Sequence, residues 1–109
     1  MTRRLVITVD AAGELAEAAA WIHAENPEAG LRLLDAFRGV KDRLLRLPES
    51  VPLYRHPRAE ALGLRVLRVP GFPHLIFFRV VGEEVRVLHV VHGARDLPGF
   101  LKLDQPPDP

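Results

Sequence analysis

Between Asn26 and Pro48 the chain reads as one helix with a continuous apolar stripe. Leu33, Phe37, Val40, Leu44 and Leu47 recur at steps of four, three, four and three. That spacing places all five on one helical face. Asn26-Pro27 is a start signal, an N-cap residue followed by proline at the first helical position. Pro48 stops the helix. Such a stripe has to be buried, so the rest of the chain must supply its cover.

Residues 3–9, RRLVITV, read as a short strand rich in β-branched residues. Asp10 fits the N-cap of a preceding helix, with Glu14 and Glu17 early, where the helix dipole favours acids. That helix runs from Ala11 to about Glu25 and carries Leu15, Ala18, Ala19 and Ile22 on one face. With hardly any connector between them, the two helices are expected to form an antiparallel hairpin. Beyond the polar loop ESVPLYRHPRAEA come three strand-like runs, Leu62–Val69, His74–Val81 and Glu84–Val91. Pro70-Gly71-Phe72-Pro73 and a turn at Gly82 separate them, as successive hairpins require. The expectation is a two-layer α+β domain, with the helical hairpin packed on a mainly antiparallel four-stranded sheet that the first strand joins. One domain spans 1–100, and 101–109 form a proline-rich, frayed tail.

At 109 residues the chain suffices for one core and not two. It has no cysteine, which removes disulfides and thiolate metal sites. No apolar run approaches the roughly 20 residues of a membrane span, and the N-terminal run is too short for a signal peptide. A cytoplasmic protein is expected. The net charge of +1 hides an asymmetry. Residues 1–50 hold seven Lys/Arg against eight Asp/Glu, whereas 54–95 hold seven arginines against three glutamates. The second half is therefore a basic field suited to a phosphate backbone or an acidic protein segment.

The stretch HVVHGARDLP, residues 89–98, sets His92, Arg95 and Asp96 at the end of a strand. They can be a catalytic site, a binding clamp or a strand end held locally. Gly93 suits a turn that an L-residue would resist, and Asp96 can tether Arg95 or cap a following turn. No histidine lies at a familiar ligand spacing, so neither a metal nor another cofactor is expected. Ser50 is the only serine, which leaves little for nucleophilic catalysis. Glu83-Glu84 fall in a hairpin turn, where solvation is the plain role. The arginines remain. Arg65 and Arg68 are three apart on one strand and face opposite ways unless a bulge intervenes; Arg79 lies on the next strand, Arg86 on the last, and Arg95 just past its end. Phosphate binding, a protein partner and simple solubility all stay open for them.

In order, "WIHAENPEAGLRLLDAF", "LRLP", "LYRHP", "LRVLRVPGFPHLIFFRV" and "VRVLHVVHGARDLP" resemble the RelE/ParE toxin superfamily over residues 3 to about 98. The resemblance implies a toxin of a type II toxin–antitoxin pair, encoded beside a small antitoxin that wraps and neutralises it. RelE-like members cleave mRNA on the ribosome with basic strand residues and a C-terminal tyrosine. Arg95 matches that pattern, but Leu64 and Val66 stand at its lysine positions, Pro73 follows Gly71-Phe72, and no tyrosine follows Arg95. A nuclease here would have to use Arg95, His92 and Arg79. The ParE-like branch, which closes with HGARD-like sequences and poisons DNA gyrase, fits better. It implies that Arg65, Arg68, Arg79, Arg86, His92 and Arg95 contact antitoxin or target, in a heterotetramer or larger assembly. A third reading is a toxin-derived binding module without toxicity.

Overall fold

Asn26 ends one helix and begins the next. Its backbone N–H donates to Ile22 O at 2.9 Å, closing α1 (Val9–Glu25), and its Oδ1 accepts from Ala29 N at 3.2 Å, opening α2 (Pro27–Arg46). The hairpin is correspondingly tight: a Cβ added to Gly30 would stand 2.9 Å from Ala19 O and 2.8 Å from His23 Cβ. The computed structural model describes residues 3–103.

The four strands are β1 (Arg4–Ile7), β2 (Arg65–Arg68), β3 (His74–Val81) and β4 (Glu84–His92), ordered β1-β4-β3-β2 across the sheet. β1 runs parallel to β4; the other pairings are antiparallel. The hairpin covers one face. Leu33, Phe37, Val40 and Leu44 from α2 meet Ile76, Phe78, Val85, Val87 and Val90 from the sheet. Burying a side chain such as Leu33 or Leu44 fully contributes about 1.5–3 kcal/mol. The opposite, outer face is covered only at one end, where Ala59, Leu64, Phe77, Val91 and Leu103 form a second cluster.

Several expectations change. Thr8, not Asp10, caps α1: its extended backbone follows directly from β1, its hydroxyl accepts from Ala11 N at 3.1 Å and donates to Leu88 O at 3.1 Å. Leu47 leaves the stripe, because it is the non-helical C-cap of α2 and is 62% exposed; Pro48 and Val51 are buried instead. The polar loop contains a 3-10 turn, Pro48–Ser50, and a short helix, α3 (Pro57–Leu62). His56 Nδ1 caps α3 by accepting from Arg58 N, and Gly63 ends it at φ +71°. β2 therefore begins only at Arg65. Gly82 turns the last hairpin at φ +60°. After β4 a further short helix, α4 (Leu97–Phe100), is capped by Asp96. Of the expected tail, residues 101–103 turn against the second cluster with Leu103 buried; 104–109 lie outside the described residues.

Candidate functional site: two separated places

One irregularity divides the β3–β4 hairpin into two registers. Phe77 lies opposite His89 while Phe78 lies opposite Val87, so Leu88 is an extra residue in β4. Below that bulge Arg79 stands directly opposite Arg86. Side chains alternate along β3: Ile76 and Phe78 pack beneath the helices, Phe77 on the outer face, and Arg79 shares the side of Phe77. Arg79 and Arg86 thus form a like-charged cross-strand pair on the open part of the outer face.

The pair is unequal. Arg86 Nη2 and Nε reach Glu84 Oε1 at 2.8 and 3.0 Å, and Glu84 Oε2 also holds Arg4 at 3.0 Å. Glu84 is therefore a shared counter-ion on the strand, not merely a solvating turn residue. The guanidinium of Arg79 has no hydrogen-bond or ion-pair partner among the described residues, and its Nε is sealed from water.

Arg65 and Arg68 face opposite sides of β2, and both are tied to backbone. Arg65 Nη1 donates to Val51 O at 2.6 Å and Glu49 O at 3.3 Å. Arg68 Nε donates to Phe72 O at 2.9 Å, closing the loop between β2 and β3.

The second place lies at the other end of the β3–β4 hairpin, on the helix side. His92 pairs with His74 in register, their ring centroids 5.4 Å apart at 72°. His92 Nδ1 accepts from Ala94 N at 3.0 Å, which leaves Nε2 as the donor of the neutral ring. His74 is 8% exposed, and its Nδ1 has no partner. Burial, and then the neighbouring His92, hold its pKa below the ordinary value. Together with Glu17, Trp21 and Arg95 the two histidines line a groove of about 270 Å³. Trp21 is 79% exposed on its α1 wall. Arg95 lies over the Phe100 ring at 4.5 Å. Asp96 does not hold Arg95; it accepts from Gly99 N as the cap of α4. Gly93 is required by close approach rather than by a positive φ, since a Cβ there would sit 2.9 Å from Pro73 O.

The hairpin register keeps Arg79 away from His92 and Arg95. Five residue steps along β3 separate Arg79 from His74, roughly 17 Å of strand, and the two side chains lie on opposite faces. The trio that a nuclease would need does not meet around one phosphate. Among the described residues no group of three or more histidines and acids is placed to hold a metal, and no helix is long and apolar enough to cross a membrane. Sequence reading passed over His74, Trp21, Glu14 and Glu17. Trp21 was legible as a large aromatic residue off the Leu15–Ile22 face of α1, whereas His74 acquires its neighbour only through strand register.

Fold and sites together define a small two-layer α+β domain with a mixed sheet, an arginine pair on its outer face and a separate histidine-lined groove on the helix side. Residues 5–97 match the profile of the ParE toxin of the type II toxin–antitoxin system parDE. The chain belongs to the ParE toxin family and is a type II toxin of the ParE type. It is also similar to the solved structure of a chromosomal ParDE TA system from P. aeruginosa. That likeness has a TM-score of 0.70 and 22% identity, covering 83% of this chain and 95% of the other. It shows the shared fold. No curated protein matches the chain significantly.

Proposed function

We propose that this toxin acts in the cytoplasm by inhibiting DNA gyrase and is neutralised by a cognate antitoxin. The observation that carries gyrase over mRNA as target is the dispersal of Arg79 from His92 and Arg95. Cleavage through a 2′-hydroxyl requires proton transfer and charge stabilisation at one phosphate, and these residues do not converge on one. His92 and Arg95, both exposed at the strand end, are the contacts assigned to gyrase. Arg79 and Arg86 are assigned to the antitoxin, whose segment orders as it binds across the open sheet face. Arg65 and Arg68, engaged with their own carbonyls, act chiefly by holding the edge strand in place. Membership of the ParE family, together with the likeness to a solved ParDE TA system, supports an antitoxin partner; the assembly we assign to the pair is a heterotetramer or larger.

Induction in cells tests this. Toxin expressed alone should stop growth, and co-expression of the antitoxin gene beside it should restore growth. A folded toxin that leaves growth untouched would mean a binding module without toxicity.

A further inference from the structure

Arg79 is costly to the free toxin. It opposes Arg86 directly across the strands, and like charges in that relation destabilise a sheet. Its neighbour has a counter-ion in Glu84; Arg79 has none. Its Nε–H is buried without an acceptor, a condition that native structures rarely tolerate. Arg68 shows the contrast: on the same face, its Nε–H is satisfied by Phe72 O at 2.9 Å. A local rule broken without compensation inside the fold marks a position whose compensation comes from outside.

The surroundings define what comes. Val81 lies two residues along β3, and Val6 lies opposite Arg86 on β1, both half-buried on the open face. Glu84 already serves Arg4 and Arg86, so a single free guanidinium flanked by apolar side chains remains. That matches one carboxylate flanked by apolar residues better than a run of phosphates, which needs several free cations in a row.

We propose that Arg79 is the receiving site for a carboxylate of the antitoxin, kept unpaired in the free toxin at the expense of its stability. The inference rests on the antitoxin reading above and adds the residue, the ligand group and a trade-off. Engagement gives the fork a bidentate acceptor and draws Nε off the sheet, relieving both faults at once. Removing Arg79 should therefore stabilise the free toxin and weaken the complex.

The test uses Arg79→Met, which keeps the unbranched stem, and Arg79→Gln, which keeps a polar head, with Arg68→Met as control. The free toxin is melted, and its affinity for the antitoxin encoded beside it is measured. Both Arg79 variants should raise Tm by about 2–5 °C and weaken the complex about 10- to 100-fold. Arg68→Met should lower Tm. A lower Tm in both Arg79 variants overturns the cost, and unchanged affinity overturns the receiving site while leaving the antitoxin reading intact. Wild-type toxin that forms no complex defeats that reading, and this proposal with it. Unchanged antitoxin binding with lost affinity for a 20-base-pair DNA duplex would assign Arg79 to phosphate instead.

Discussion

Glu14 closes an edge that β1 leaves open. Beyond the Ile7–Val87 pair β1 gives way to α1, and the backbone of β4 would be bare. There Glu14 Oε1 accepts from Val90 N at 3.0 Å, and its carboxylate meets His89 Nδ1 at 3.1 Å. A helix side chain thus completes the hydrogen bonding of a strand, and an uncapped edge would be an aggregation liability.

Glu14→Ala should therefore cost about 1–3 kcal/mol, the range for leaving a partly buried donor unsatisfied. Urea denaturation measures the loss, and amide exchange localises it. If the Val90 amide stays as protected as in the wild type, the edge-closing role is wrong. Glu14→Gln, which retains an acceptor for Val90, should cost less.

Glycine substitutions in α2 should diverge in sign. Gly39 has nothing within 4 Å of an added Cβ, so Gly39→Ala should gain about 0.5–1 kcal/mol from helix propensity. Gly30→Ala meets Ala19 O and His23 in the hairpin and should lose about 1–3 kcal/mol despite the same propensity gain. Equal effects at the two positions would contradict the close helix approach.

Acid should weaken the fold through His74. Its folded pKa lies below the ordinary 6.5, through burial first and His92 second. The unfolded chain binds that proton near its ordinary pKa while the folded chain does not. Stability is consequently full above about pH 6.5 and falls as pH drops through that value toward the lower folded pKa. Glu14, Glu17 and Arg95 share the groove with both histidines. Thermal melts of His74→Phe should lose this part of the pH dependence; a profile identical to the wild type would remove His74 as its source. At lower pH Glu49 adds a smaller decline, because its hydrogen bond to Arg3 depresses its pKa. That contribution is present above its ordinary 4.5 and, at an exposed site, is modest.

Arg65→Ala should act on the fold before it acts on any partner. The guanidinium ties the start of β2 to Val51 O and Glu49 O, and losing such charged hydrogen bonds costs about 1.5–3 kcal/mol. Denaturation of the free toxin reads this directly. No loss of stability would return Arg65 to the set of contact residues.

The layers were legible because their signals are local. α2 is bounded by Asn26-Pro27 and Pro48, and β3 by Pro73 and Gly82, so both appear where the sequence places them. α3 and α4 escaped notice because six and four residues carry too little periodicity, and the His56 cap of α3 is unusual. The site was less legible for a different reason. The pairing of Arg79 with Arg86 is set by the tight turn after Val81, and that of His74 with His92 by the extra residue Leu88 further along β4. No spacing within a single strand encodes either. Arg65 and Arg68 were placed on opposite faces correctly, yet their carbonyl partners lie in loops that only the folded chain brings near.

Gyrase poisoning is tested most directly by two assays on one preparation of purified toxin. One follows gyrase supercoiling with a readout for trapped, cleaved DNA; the other follows mRNA cleavage on translating ribosomes. The expected result is loss of supercoiling with trapped DNA and intact mRNA. Cleaved mRNA with supercoiling untouched would contradict it, and would make HVVHGARDLP an active site after all.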